Sequence, residues 1–133
     1  MKKTVLLTAS VYGMTAVILG AFGAHLFKQF LAPEKLVGFE TGVRYQMYNA
    51  IVLLVLGLFL KFETAYEKNA VSCLIIGGFL FSVSIYFLSF SEFWGVNLKF
   101  LGPVTPLGGL LMIVGWLLLF LYFLKNKSNV LKL

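Results

Sequence analysis

A chain of 133 residues that is 60% hydrophobic and 12% charged, with a mean hydropathy of +0.95, is not a water-soluble domain. Soluble domains are about 25% charged, and one this small buries only about two-thirds of the surface that it exposes unfolded, so lipid must be the solvent. The formal net charge of +6 does not mark a nucleic-acid surface, because the basic residues are singles and pairs at the ends of apolar runs, never interleaved with aromatics.

The length predicts one transmembrane domain over residues 1–133. Crossing the roughly 30 Å hydrocarbon core takes about 20 apolar residues in a helix, and open strands would leave backbone groups unpaired in lipid. Four stretches qualify: Val5 to Phe27, Tyr45 to Phe62, Ala70 to Phe90 and Val104 to Leu124. The predicted fold is therefore all-α, an integral membrane antiparallel four-helix bundle.

The first stretch, "MKKTVLLTASVYGMTAVILGAFG", has the two lysines and the small-x-small ending of a signal peptide. Its apolar run exceeds the usual 7–15 residues and carries internal glycines and a tyrosine, so it reads as a retained span. Ala9, Gly13, Ala16, Gly20 and Gly23 follow at spacings of 4, 3, 4 and 3. That is one small-residue face, of the kind that lets membrane helices approach closely. His25, the single histidine, lies about 160° from the centre of that face at roughly 100° per residue.

The next segment, "KQFLAPEKLVGFETGVR", contains Pro33 and Glu34, a favourable helix start. Leu36, Phe39 and Val43 recur at helical spacing among charges, which predicts a short interfacial helix between the first two spans. The second span offers Gln46, Ala50 and Gly57 for packing, the third Gly78, Ser82 and Ser89, and the fourth Thr105, Gly108 and Gly115. In "GPVTPLGG", Pro103 and Pro106 interrupt the chain before the fourth helix, with Thr105 as its expected N-cap. Cys73 is the single cysteine, which rules out an intrachain disulfide and a thiolate metal site.

Lys2, Lys3, Lys61, Lys68, Lys125, Lys127 and Lys132 fall on one side of a four-span topology; Lys28, Lys35, Arg44 and Lys99 fall on the other. The positive-inside rule then places both termini in the cytoplasm. On that topology the polar residues of the spans gather at the outer end. His25 closes the first span, Arg44, Gln46 and Asn49 open the second, Ser89, Ser91 and Glu92 end the third, and Thr105 opens the fourth. Polar side chains are costly in a membrane, so His25, Arg44, Gln46, Asn49 and Thr105 are the candidate site, a polar belt at the outer leaflet. A helix N-terminus and Arg44 there suit an anionic lipid headgroup. Simpler roles compete: Arg44 as an interfacial anchor or a partner of Glu40, His25 as an end cap, and Thr105-Pro106 as turn chemistry.

No HExxH, GxSxG, P-loop or pair of catalytic carboxylates occurs, so the reading is non-enzymatic, with no cofactor and no metal. The expected role is an accessory or lipid-interacting bundle with membrane lipids as partners, alone or in a homo-oligomer or larger membrane complex. The alternative is a small oligomeric transporter or channel.

Four motifs, "LGAFGAH" from Leu19, "TGVRYQMYNA" from Thr41, "LFSVSIYFLSF" from Leu80 and "VTPLGGLLMIVGW" from Val104, are similar to the Domain of Unknown Function 423 family. These are small proteins of the bacterial inner (plasma) membrane, also called uncharacterised protein family 382, and they resemble a eukaryotic transmembrane protein 256. The resemblance covers nearly the whole chain. It implies a multi-pass four-span protein of the bacterial plasma membrane and brings no biochemical activity with it. Two positions depart from the family pattern: Asn49 stands where the family usually has histidine, and Val83 where it commonly has glycine. A proton or metal role for that histidine would be lost here, whereas asparagine can replace it as a hydrogen-bond donor.

Overall fold

The computed structural model describes residues 1–125; Lys127 and Lys132 lie outside the described residues. Within them there is no strand, and four helices are long and apolar enough to cross a membrane. They are α1 (Lys2–His25), α2 (Pro33–Phe59), α3 (Ala65–Phe90) and α4 (Val104–Lys125). At 1.5 Å per residue even α4, with 22 residues, is about 33 Å long, enough for a hydrocarbon core of roughly 30 Å.

Helix α2 begins at Pro33 with Glu34 in its first turn. It then runs unbroken for 27 residues. The separate interfacial helix expected before the second span is thus the first turns of α2 itself. Gly38 and Gly42 do not break it, and Gly42 is where the ring of Tyr86 closes in, 2.8 Å from where a Cβ would stand. From α1 to α2 the chain turns through a 3-10 turn at Phe27–Gln29, with the Phe27 carbonyl accepting from the Phe30 and Leu31 amides at 3.0 and 2.8 Å.

Helix α3 starts earlier than Ala70, because Thr64 and Glu67 form a reciprocal capping box around its first turn. Helix α4 starts at Val104, so Thr105 is inside the helix rather than its N-cap. Between α3 and α4 the chain turns at Gly95, whose φ of 65° suits glycine, and passes through a second 3-10 turn at Lys99–Leu101.

The registers of neighbouring helices run in opposite directions. Gly13 faces Ala50, Gly20 faces Val43, Gly23 faces Phe39 and Gly57 faces Leu6, which sets α1 against α2. Gly42 faces Tyr86 and Gly78 faces Asn49 across α2 and α3; Gly108 faces Gly77 and Gly115 faces Leu74 across α3 and α4. Close packing follows chain order, and α1 and α4 do not pack closely on each other. Leu53, Val71 and Leu74 are fully enclosed toward the end that carries the N-terminus, here the terminal end. At the other, distal end Phe27, Phe39, Tyr86 and Phe90 form an aromatic cluster, with ring centroids 4.9 Å apart for Phe27–Phe90 and 5.0 Å for Phe39–Tyr86.

Candidate functional site

The five candidate residues do not form one cluster. Gln46 and Asn49 are buried, Thr105 is half-buried, and His25 and Arg44 are exposed. The start of α2 sets this division. A helix that begins at Pro33 rather than Tyr45 carries Gln46 and Asn49 near its midpoint. Arg44 precedes Gln46 by two positions, about 200° round the helix, so it points away. Its Nε donates to the Glu40 carbonyl at 3.3 Å on its own helix. The His25 carbonyl accepts from Gln29 Nε2 at 3.5 Å.

Gln46 ties three helices together. Its Nε2 donates to the Tyr12 carbonyl at 3.0 Å and to Thr15 Oγ1, while its Oε1 accepts from the Tyr86 hydroxyl at 2.7 Å. The Tyr12 hydroxyl in turn donates to the Ile75 carbonyl at 2.7 Å. Asn49 Nδ2 donates to the Tyr45 carbonyl at 2.9 Å and lies 3.1 Å from Met112 Sδ of α4. Thr105 shares a 2.7 Å hydrogen bond with Ser84. No buried side-chain nitrogen or oxygen lacks a partner among the described residues. These groups hold helices together.

Gln46→Leu removes the amide while keeping most of the volume, and it takes away the oxygen that accepts from the Tyr86 hydroxyl. Interhelical hydrogen bonds in membranes contribute about 0.6 to 2 kcal/mol, so a loss of about 1 kcal/mol is expected in denaturant unfolding in detergent. Unchanged stability would show that Tyr86 finds another acceptor at no cost.

The sequence reading missed Glu67, which is 1% exposed. Its Oε1 accepts from the Phe62 amide at 3.2 Å; its Oε2 accepts from the Thr64 amide at 2.8 Å and the Thr64 hydroxyl at 2.9 Å. The Tyr122 hydroxyl of α4 also bonds to this carboxylate. Thr64-Ala65-Tyr66-Glu67 spells the capping box in the sequence, but its burial is hidden inside the charged segment "KFETAYEKN".

The concave surfaces at the distal end include an apolar groove and a hollow lined by polar side chains, and a smaller hollow of about 170 Å³ beside them shares Lys35 and Glu92 with the polar one. The groove, about 410 Å³, runs between α3 and the start of α4, walled by Phe79, Val83, Phe87, Leu98, Phe100 and Val104. Ser84 also lines it, but its hydroxyl is engaged with Thr105 and with the Phe81 carbonyl, 3.0 Å away. The hollow, about 510 Å³, holds Lys35, Ser91, Glu92, Asn97 and Lys99, and Leu98 lines both spaces. A further groove of about 490 Å³ lies between α2 and α4, lined by Tyr45, Tyr48, Asn49, Met112 and Trp116.

Among known proteins, the family described as "Protein of unknown function (DUF423)" matches residues 19–109. A "UPF0382 membrane protein" of Staphylococcus epidermidis is 36% identical over 124 residues, covering 92% of this chain and 97% of the relative. One from Haemophilus influenzae is 33% identical over 128 residues, covering 96% and 99%. The "UPF0382 membrane protein YwdK" of Bacillus subtilis is 32% identical over 124 residues, covering 88% and 93%. No solved structure matches. With that match over most of its length and four helices able to span a bilayer, this chain is a membrane protein that belongs to the DUF423 family.

Proposed function

We propose that this protein is a non-catalytic accessory protein of the bacterial plasma membrane, with both termini cytoplasmic, that holds a lipid chain at the outer leaflet. The observation that carries this reading is the apolar groove at the distal end, walled by α3, the second 3-10 turn and the first residues of α4. From Phe79 to Phe87 the groove follows α3 for about 12 Å, close to the roughly 15 Å depth of one leaflet. The lysine distribution supports the orientation, since more cations flank the terminal end than the distal one. A transporter needs a continuous polar path, and fully enclosed Leu53, Val71 and Leu74 oppose one. The outward faces of α1 and α4 are where a homo-oligomer or larger membrane complex would assemble.

Filling the groove tests the reading. Val83→Trp inserts an indole between Phe79 and Phe87 and should sharply reduce crosslinking of a photoactivatable acyl chain to α3. Leu117→Trp, on the exposed face of α4, should leave it unchanged. Equal crosslinking in both variants would remove the groove as the lipid site.

A further inference from the structure

We infer that the hollow beside the distal groove takes the headgroup of a monoanionic phospholipid, with Lys35 and Lys99 on its phosphate. This rests on the lipid-holding reading above and names the class of lipid. Lys35 stands on the first turn of α2 and Lys99 on the 3-10 turn before α4, yet both line the same space. Their ammonium groups are not engaged by any hydrogen bond or ion pair among the described residues.

Charge selects the occupant. Two lysines against one glutamate, Glu92, give the hollow a net charge of +1. A zwitterionic phosphatidylethanolamine leaves that charge uncompensated, whereas phosphatidylglycerol, with one negative charge, neutralises it. The phosphate then lies between the lysines, and the glycerol hydroxyls can donate to the Glu92 carboxylate. Asn97 Oδ1 is taken by the Lys99 amide at 3.1 Å, which leaves the Asn97 amide nitrogen as a further donor to the headgroup. Lys35 is half-buried while Glu92, Asn97 and Lys99 are exposed, so the attraction should weaken as salt rises.

Geometry joins the headgroup to the chain. Leu98 borders both spaces, so a lipid with its phosphate at Lys35 and Lys99 passes one acyl chain over Leu98 into the groove. There it lies along Phe79, Val83 and Phe87. Gly95, at a φ of 65°, makes the turn that returns Asn97 and Lys99 to this position beside the end of α3.

The test uses the full chain in nanodiscs of equal parts phosphatidylglycerol and phosphatidylethanolamine, with retained lipid read by native mass spectrometry. Wild type should retain phosphatidylglycerol preferentially. A basic residue near a membrane surface contributes a factor of about five to anionic-lipid attraction. The preference should therefore fall about fivefold in either Lys35→Gln or Lys99→Gln and vanish in the double variant. Lys35→Arg with Lys99→Arg should keep it, Glu92→Gln should raise it, and Lys68→Gln at the terminal end should leave it unchanged. Retained lipid without headgroup preference, or a preference that survives the double variant, overturns the inference and leaves the lipid-holding reading standing. Wild type that retains no lipid sensitive to Val83→Trp overturns both.

Discussion

Gly108→Ala should lower stability by about 3 kcal/mol, the upper end of the usual cost of overpacking a well-filled interior. A Cβ at Gly108 would stand 2.5 Å from the Phe81 amide nitrogen, 2.8 Å from the Gly77 carbonyl oxygen and 2.9 Å from Phe81 Cα. All three are backbone atoms of α3, so no rotamer change relieves them and the two helices must part. Membrane helices associate through such close backbone approach, so parting them sacrifices dispersion contacts along the whole pair. The neighbouring Gly109→Ala is the internal control. There the new methyl group meets only the Phe81 ring, at 3.8 Å and beyond, and alanine favours helix over glycine by about 1 kcal/mol. It should be neutral or slightly stabilising. Denaturant unfolding of both variants in one detergent makes the comparison, and equal stabilities would exclude the close approach of α3 and α4. Gly20→Ala belongs with the control, because its nearest neighbour is Val43 Cγ1 at 3.4 Å, a side-chain atom at the edge of ordinary van der Waals contact.

That contrast also shows which features a single sequence reveals. Long apolar runs disclose the spans because length and composition are all that crossing a bilayer demands. The start of α2 is equally plain, since Pro33 and Glu34 act within the first turn. Its continuity is not. Gly38, Gly42, Glu40 and Arg44 look like an interfacial segment when only their own neighbours in sequence are considered. Gly42 is in fact set against α3, where the Ser82 hydroxyl donates to its carbonyl at 2.9 Å. With the boundary at Tyr45, Gln46 and Asn49 fall at the end of the span; with it at Pro33 they fall near the helix midpoint. Gly77 is inconspicuous in the sequence for a related reason, because the carbonyl that requires it, Gly108 O, is on another helix. The spacing of small residues identifies a face, but not the helix on the other side of it. In the sequence Lys35 and Lys99 stand only as topology charges, because their meeting at one hollow depends on the turn at Gly95 and the early start of α2.

Glu67→Ala should be as damaging as Gly108→Ala, by a different route. The substitution strands the Phe62 and Thr64 amides, which donate to the carboxylate at 3.2 and 2.8 Å, and an unsatisfied buried donor costs about 1–3 kcal/mol. It also removes the restraint on Phe62, which is 6% exposed and held at a φ of 61°. A bulky residue in the left-handed region costs on the order of 1–3 kcal/mol and persists only where its surroundings hold it. Here the carboxylate holds the backbone while the core around Leu56 and Val71 holds the ring. Without the carboxylate the connection between α2 and α3 can relax and draw Phe62 out of the core. A total loss of about 3 kcal/mol is expected. Glu67→Gln should lose less, about 1–2 kcal/mol, because glutamine can complete a capping box but offers one oxygen where two are in use. Its amide nitrogen must face either the Phe62 or the Thr64 amide, donor against donor. Unfolding measurements rank the three proteins, and limited trypsin digestion at exposed Lys61 reads the connection directly. Cleavage at Lys61 should accelerate most in Glu67→Ala, less in Glu67→Gln, and before any global unfolding. An alanine variant with native stability and an equally resistant Lys61 would mean that Phe62 keeps its backbone conformation without the carboxylate.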